Sequence, residues 1–136
     1  MIYRDALREA DLNALRILYV EDNADIRDMV VELIENPDRC VVACVDAESA
    51  WEQLQQATFD VLVTDVSLPG WSGTELASRW LEADSSRCVI LFSGYEFKSE
   101  LASLGVNVRA IPKEDFDGLE RALLEIGQHF KLCAAR

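Results

Sequence analysis

Short apolar runs alternate with longer segments along the chain. The runs cover residues 16–20, 40–45, 61–64, 88–92 and, more weakly, 106–111. Each run is nearly continuously hydrophobic instead of alternating between apolar and polar positions. That pattern is typical of strands in a sheet that is covered on both faces. The runs therefore predict five buried strands.

Between the runs, apolar residues recur at the three- and four-residue spacing of an amphipathic helix. The positions are Ile26, Met29, Val30, Leu33 and Ile34; Ala50, Trp51 and Leu54; Leu76, Ala77, Trp80 and Leu81; Leu101 and Leu104; and Leu119, Leu123, Leu124 and Ile126. The fourth group is short and ends at Gly105, a residue type that is common after a helix C-terminus. Strict alternation of strands and helices predicts an α/β fold, with five helices around a doubly wound, five-stranded parallel sheet.

The charge of the chain restricts its partners. The 136 residues include 25 acidic and 13 basic residues, which gives a formal net charge of −12. Nucleic acids and anionic membranes attract basic surfaces, so we expect no direct contact with either of them. Metal cations and basic protein surfaces fit this charge better.

The cysteines and the N-terminus indicate a cytoplasmic protein. The four cysteines are Cys40, Cys44, Cys88 and Cys133. They form no CxxC pair, and the only histidine, His129, is distant from three of them in sequence, which does not favour a zinc site. No apolar run approaches the roughly 18 residues of a membrane span, and the first five residues lack the apolar core of a signal peptide. We therefore expect buried, reduced thiols.

Chemically active side chains follow four of the predicted strands. They are Glu21 and Asp22 after the first strand, Asp65 after the third, Ser93 after the fourth and Lys113 after the fifth. Each residue alone has an ordinary explanation, because acidic residues cap helices, Ser-Gly pairs form turns and most lysines are solvated. Together they meet at one edge, since the carboxyl ends of the strands carry the site in a doubly wound sheet. Adjacent carboxylates at that edge suit Mg²⁺, which prefers oxygen ligands.

Four segments resemble the receiver domain of two-component response regulators. They are ILYVEDN at 17–23, DVLVTDVSLPGWSG at 60–73, LFSG at 91–94 and IPK at 111–113. The second segment is the most specific of the four. The chain resembles CheY-like receiver domains from about residue 16 to residue 132. This resemblance implies a flavodoxin-like sheet with the strand order 2-1-3-4-5.

This resemblance also divides the chain. Residues 1–15 are an N-terminal extension, residues 16–132 a receiver domain and residues 133–136 a C-terminal tail. Leu7, Leu12 and Leu15 fit either an additional helix or a frayed extension, and the sequence does not decide between them.

The resemblance implies a role for each strand-end residue. Asp65 matches the phosphoacceptor, Lys113 the lysine that pairs with the phosphoryl oxygens, and Ser93 the hydroxyl that moves toward the aspartyl phosphate. Gly94 leaves space beside the acceptor.

The resemblance likewise implies a Mg²⁺ site. Its ligands are Asp22, Asp65 and the backbone carbonyl of Ser67, with Glu21 bound through water or nearby. The cation and Lys113 would neutralise the charge that develops when a carboxylate attacks phosphorus.

The function implied is signalling rather than enzymatic turnover. A histidine kinase or a histidine phosphotransfer protein phosphorylates Asp65, and a conformational switch passes the signal to a downstream protein that the sequence does not identify. Mg²⁺-dependent self-phosphorylation from a donor and autodephosphorylation are the only chemistry expected. The resemblance leaves open whether phosphorylation produces a homodimer.

Two positions depart from the family pattern. Glu114 follows the lysine where the family usually has proline, and Ala110 stands where an aromatic residue often swings inward on activation. We hypothesise that Tyr95 takes over part of that aromatic role. These departures motivate an alternative, a degenerate receiver that binds proteins without phosphorylation.

A small phosphatase or a flavin-binding protein is a further alternative from another class. A phosphatase of the haloacid dehalogenase type would have a second acid two residues after Asp65, where Ser67 stands. A nucleotide or flavin site would have a glycine-rich first loop, where Glu21 and Asp22 stand.

Overall fold

The computed structural model describes residues 14–94 and 104–134. Those residues form five strands and four helices that alternate through most of the chain. In chain order they are β1 (Leu15–Val20), α1 (Ala24–Ile34), β2 (Arg39–Cys44), α2 (Ala47–Gln56), β3 (Val61–Thr64), α3 (Gly73–Ala83), β4 (Cys88–Ser93), β5 (Val108–Pro112) and α4 (Phe116–Ala134).

The five strands form one parallel sheet in the order β2-β1-β3-β4-β5. The predicted fold class and strand order are therefore confirmed. The order reverses at β1, which pairs with β2 on one side and β3 on the other. In this topology the crevice at the reversal point lies beyond the carboxyl ends of β1 and β3. The residues that follow these two strands consequently face each other.

Helices cover both faces of the sheet, which explains the continuous hydrophobicity of the strands. Ile17 and Tyr19 of β1 lie in one core cluster, with residues of α1 and α4. Leu18 and Val20 lie in a second cluster, with residues of α2 and α3. All four β1 side chains are fully buried. From Ile17 to Val20, neither face of β1 is open to solvent.

Four strands differ from the prediction in their bounds, among them β4, which ends one residue later, at Ser93. β1 starts one residue earlier, at Leu15, and β2 spans Arg39–Cys44, which leaves Val45 half exposed. β5 starts at Val108, because Val106 lies in a turn with 83% of its surface exposed. Val45 and Val106 are apolar but have no partner residue in a neighbouring strand among the described residues, so neither of them lies in a strand.

The fourth predicted helix centres on residues 101–104 and falls mostly outside the described residues, as does the N-terminal extension up to residue 13. The other four helices are confirmed, although their apolar stripes are narrower than expected. Met29 and Leu33 of α1 are 42% and 54% exposed, and Leu124 of α4 is 51% exposed. Only Val30 and Ile34 of α1 are buried, because the sheet contacts a single stripe along a helix.

Polar side chains define where three helices begin. Asn23 accepts a hydrogen bond from the Ile26 N–H and caps α1. Asp46 caps α2 by accepting from the Ser49 N–H, and Ser72 caps α3 in the same way. Each side-chain oxygen satisfies an N–H group that has no partner within the first turn. The caps of α1 and α3 fix the two loops that carry the candidate site.

Candidate functional site

The predicted strand-end residues converge at the carboxyl edge of the sheet. Glu21 and Asp22 directly follow β1, Asp65 follows β3, and Lys113 follows β5. A carboxylate oxygen from each of Glu21, Asp22 and Asp65 lies within 4.8 Å of the other two. The fold thus brings together four side chains that follow β1, β3 and β5 and are up to 92 residues apart in sequence.

The three acids differ in their contact with solvent. Glu21 is 1% exposed and Asp65 is 7% exposed, whereas Asp22 is exposed. A compact set of carboxylate oxygens with one open side fits Mg²⁺, which takes oxygen ligands and keeps several of its waters. The donor set of the chain therefore suits the cation that the sequence predicts. Among the described residues it is the only such cluster of possible metal ligands.

Lys113 bridges two of the acids. Its Nζ lies 2.6 Å from Glu21 Oε1 and donates a hydrogen bond of 2.9 Å to Asp65 Oδ2. Burial acts to lower the pKa of Lys113, but the hydrogen bonds to the two carboxylates outweigh it and the pKa is raised. The ammonium group is therefore charged at neutral pH, and it offsets part of the repulsion among the acids.

Glu21 is the most buried member of the cluster. Its Oε2 accepts a hydrogen bond of 3.1 Å from the Asn23 N–H. Burial raises the pKa of Glu21, and the hydrogen bonds from Lys113 and from the Asn23 N–H counteract only part of that rise. The carboxylate therefore depends on Lys113 for its charge to be tolerated at this depth.

Asp65 has hydrogen bonds on both its backbone and its side chain. Its N–H donates to the Val20 carbonyl at 3.1 Å, which continues the β1–β3 ladder one residue beyond the strand. Its Oδ1 accepts from the Ser67 N–H at 3.2 Å, while Oδ2 accepts from Lys113. The carboxylate is therefore fixed in orientation by contacts from two different loops.

Ser93 ends β4, where it is in register with Pro112, the residue before Lys113. The sequence placed it one residue beyond the strand, and its side chain lies outside the described residues. Tyr95 lies outside them as well. Of the two departures from the family pattern, Ala110 is half buried in β5 and Glu114 is exposed beside Lys113.

Three residues around the site were missed by the sequence reasoning. Arg27 of α1 donates from Nη1 to the Glu21 carbonyl at 2.9 Å and so holds the loop after β1. Tyr19 is fully buried, and burial, followed by the charges of Glu21 and Asp65, raises its pKa far above the ordinary value. Thr64 is fully buried as well, immediately before Asp65. A polar residue within an otherwise apolar strand was the signal that could have identified Tyr19 and Thr64.

The loop between β3 and α3 is anchored to α2. The Trp71 N–H donates to Glu48 Oε1 at 3.1 Å, and the Trp71 ring meets Trp51 edge to face with 6.1 Å between centroids. The Arg79 guanidinium lies 4.0 Å from the centre of the Trp71 ring. Gly70 adopts a φ of +74°, which favours glycine. These contacts determine the path of the chain from Asp65 to α3.

The remaining sequence expectations concern residues away from the site. Cys44 and Cys88 are buried and Cys40 is half buried, and all three are free thiols. Cys133 has no described side chain. His129 is exposed, and its ring contacts Phe130. No helix in residues 14–94 and 104–134 combines the length and the apolar character that a membrane crossing requires.

Comparison of the sequence with known families gives one match that covers most of the chain. The profile described as "Response regulator receiver domain" matches residues 17–112. The response regulator receiver protein CpdR of Brucella abortus is 35% identical over 80 residues, which are 59% of this chain and 67% of CpdR. The virulence transcriptional regulatory protein PhoP of Salmonella typhimurium is 31% identical over 96 residues. That alignment covers 68% of this chain but only 43% of PhoP, so the chain spans less than half of that relative.

Solved structures share the fold. The response regulator TrrA of Thermotoga maritima, determined in complex with Mg²⁺-BeF, superimposes with a TM-score of 0.73 at 24% identity, covering 82% of this chain and 98% of TrrA. A two-component transcriptional regulator AraC from Clostridium phytofermentans superimposes with a TM-score of 0.75 at 28% identity, covering 90% of this chain and 98% of that one.

Proposed function

Because the chain belongs to the receiver-domain family of two-component response regulators, we propose that it accepts a phosphoryl group on Asp65 and signals through the resulting change of conformation. The observation that carries the proposal is the Asp65 carboxylate, held 2.9 Å from Lys113 Nζ among two further acids. A nucleophilic carboxylate beside a fixed cation is the arrangement that phosphoryl transfer requires.

The donor in this proposal is a phosphohistidine of a histidine kinase or a histidine phosphotransfer protein. A carboxylate oxygen of Asp65 forms a bond to phosphorus, and the bond between phosphorus and the donor imidazole nitrogen breaks. That nitrogen retains the bonding electron pair and takes up a proton. Transfer from a small acyl phosphate follows the same course, with a carboxylate as the leaving group. Loss of the phosphoryl group to water returns Asp65 to its initial state.

Asp22, Asp65 and the backbone carbonyl of Ser67 are the proposed ligands of Mg²⁺, with Glu21 bound through water or nearby. The cation, when bound, would neutralise charge on the phosphoryl oxygens. Asp22 is the exposed acid of the group, which supports its role as the ligand most open to an arriving ion. Glu21 is buried and hydrogen-bonded to the Asn23 N–H, so it contributes mainly a fixed negative charge.

Lys113 has two successive roles in the proposal. Before transfer, it pairs with Glu21 and Asp65 and offsets part of the negative charge of the cluster. After transfer, its Nζ pairs with oxygens of the phosphoryl group on Asp65, which carries roughly −1.5 to −2 charges. Ser93, at the end of the neighbouring strand, supplies the hydroxyl that responds to this new charge. The output is contact with a downstream protein, in the cytoplasm, where free thiols such as Cys44 remain reduced.

Intact mass spectrometry with acetyl phosphate and Mg²⁺ tests the proposal. We expect the addition of one phosphoryl group, and we expect none with Asp65→Asn or in EDTA. Asp60→Asn is the matched control, since Asp60 lies at the opposite end of β3 and accepts a hydrogen bond from the Arg16 N–H; this variant should be phosphorylated like the parent protein. Failure of the folded, Mg²⁺-binding protein to gain mass would contradict the proposal and favour the degenerate receiver.

A further inference from the structure

The hydroxyl group of Thr64 lies directly behind the proposed phosphoacceptor. Thr64 is the last residue of β3 and is 0% exposed. Its Oγ1 donates a hydrogen bond of 2.9 Å to the backbone carbonyl of Asp65. The hydroxyl thus contacts the main chain of Asp65 and not its carboxylate.

The Thr64 side chain lies on the face of the sheet that α2 and α3 cover. Leu62, two residues earlier in the strand, belongs to the core cluster under α2 and α3, and alternate strand residues share a face. Tyr19, two residues before Glu21, belongs to the cluster on the other face. The Thr64 hydroxyl therefore acts on the orientation of Asp65 through the backbone carbonyl that it contacts.

The start of α3 closes around the same carbonyl. A Cβ atom on Gly73 would lie 1.9 Å from the Asp65 carbonyl oxygen and 2.9 Å from Thr64 Oγ1. Only a residue without a side chain fits there, and the Gly73 N–H donates to the Val66 carbonyl at 2.9 Å. The peptide group after Asp65 is consequently enclosed by Thr64 on one side and by the helix backbone on the other.

The peptide group before Asp65 is fixed independently, by the hydrogen bond from its N–H to the Val20 carbonyl. With both flanking peptide groups held, the direction of the Cα–Cβ bond is set before any donor arrives. The two carboxylate oxygens need only to keep the contacts with Ser67 and Lys113. Among these contacts, the hydrogen bond from Thr64 to the Asp65 carbonyl is the one that comes from a side-chain hydroxyl group. It can therefore be removed by a single substitution.

We propose that Thr64 is a positioning residue for phosphoryl transfer, whose hydroxyl aligns the Asp65 carboxylate for attack by holding the Asp65 backbone carbonyl. This proposal rests on the proposed function of Asp65. A displacement of a reacting group by about 1 Å can slow a reaction about 100-fold, so loss of one backbone contact behind the nucleophile affects the rate of transfer as well as stability.

Two substitutions separate the hydroxyl from the rest of the side chain. Thr64→Val removes the hydrogen-bond donor and keeps a branched side chain of similar size. Thr64→Ser keeps the donor and removes the methyl group. If packing alone determines the rate of phosphorylation, Thr64→Ser therefore lowers the rate more than Thr64→Val does. If the hydrogen bond determines the rate, only Thr64→Val lowers it.

The experiment measures phosphorylation of the full chain by acetyl phosphate and Mg²⁺, from quenched time courses of intact mass, together with the melting temperature of each variant. Rates are expressed per folded molecule. We expect Thr64→Val to slow phosphorylation by at least about fivefold, and Thr64→Ser to stay within about twofold of the parent rate. Mg²⁺ affinity is measured for each variant by tryptophan fluorescence, and rates are compared at saturating Mg²⁺, because Asp65 is also a proposed ligand of the cation.

Three outcomes overturn the inference. Equal rates for Thr64→Val and the parent protein would show that the hydroxyl acts only on stability. A rate with Thr64→Ser as low as that with Thr64→Val would assign the effect to packing of the methyl group. If Thr64→Val fails to fold, Thr64→Ala takes its place, because it removes the same hydroxyl with less steric demand. A rate of phosphorylation for Thr64→Ala equal to that of the parent protein is the third outcome. Absence of phosphorylation in the parent protein itself would instead contradict the function proposed for Asp65.

Discussion

Substitution of Lys113 tests how the acid cluster is stabilised. Lys113→Met removes the charge and retains a flexible side chain of similar length. The ion pair with Glu21 is 2.6 Å long, and the side chains are 20% and 1% exposed for lysine and glutamate, respectively. The variant leaves two largely buried carboxylates, Glu21 and Asp65, without their cation.

The expected cost follows from burial. At an effective dielectric constant of about 20, opposite charges separated by about 3 Å attract by roughly 5–6 kcal/mol, and desolvation offsets much of that attraction. Removing one partner of a buried pair typically costs about 3–5 kcal/mol. Since one fifth of the Lys113 side chain contacts water, we expect Lys113→Met to lower the free energy of unfolding by about 2–4 kcal/mol.

A second ion pair of equal length provides the control. Arg109 and Glu125 are also 2.6 Å apart, but their side chains are 39% and 54% exposed. An exposed pair contributes about 0–1 kcal/mol, so Arg109→Met should cost less than about 1 kcal/mol. Because the distance between the charged atoms is the same, a larger loss for Lys113→Met reflects burial together with its second contact, to Asp65.

Urea unfolding in EDTA at neutral pH measures both losses. The double variant Lys113→Met/Glu21→Gln should recover part of the stability, since it removes the charge that the single variant leaves unpaired. Mg²⁺ should also reduce the deficit of Lys113→Met, because it supplies positive charge to the same carboxylates. Equal losses for Lys113→Met and Arg109→Met, or no recovery in the double variant, would refute the reasoning.

Three further predictions concern individual groups. Burial, and then the charge of Asp46, raises the pKa of Cys44 to about 11, so at pH 8 it should resist alkylation in the native protein and react in urea; labelling of Cys44 as fast as an unfolded thiol would contradict this. Tyr19 has a raised pKa through burial, and its contribution to stability is therefore complete below pH 10, its ordinary pKa, and is lost at higher pH. The free energy of unfolding should fall more steeply above pH 10 in the parent protein than in Tyr19→Phe, and parallel curves would count against it. Ser72→Ala removes the cap that accepts from the Glu75 N–H and should lower stability by about 1 kcal/mol in urea unfolding, whereas an unchanged midpoint would show that the cap contributes nothing.

Much of the site was accessible from sequence because the strand ends could be identified. Continuous apolar runs indicated where β1, β3 and β5 end, and the chemically active residues that come next are Glu21 with Asp22, Asp65 and Lys113, respectively. The parallel topology then required these residues to share one edge of the sheet. No knowledge of side-chain packing was needed for that step.

Other features depend on packing between segments that are distant in sequence. The bond from the Trp71 N–H to Glu48 joins residues 23 positions apart, and no local pattern predicts it. The difference between buried Glu21 and exposed Asp22 likewise follows from which of two adjacent residues faces Lys113. Periodicity also overestimated burial of α1, because Met29 fits the apolar stripe and yet lies beyond the contact with the sheet.

The strand order has a consequence for synthesis of the chain on the ribosome. The two strands that pair with β1, namely β2 and β3, are complete by Thr64, and N-terminal parts of a chain emerge first. Glu21, Asp22 and Asp65 are therefore all available before Lys113, which follows the last strand to emerge. Until then the nascent chain lacks the ammonium cation that pairs with Glu21 and Asp65 in the folded protein. Docking of β5 beside β4 delivers that cation, so completion of the sheet and neutralisation of the site occur in the same late step.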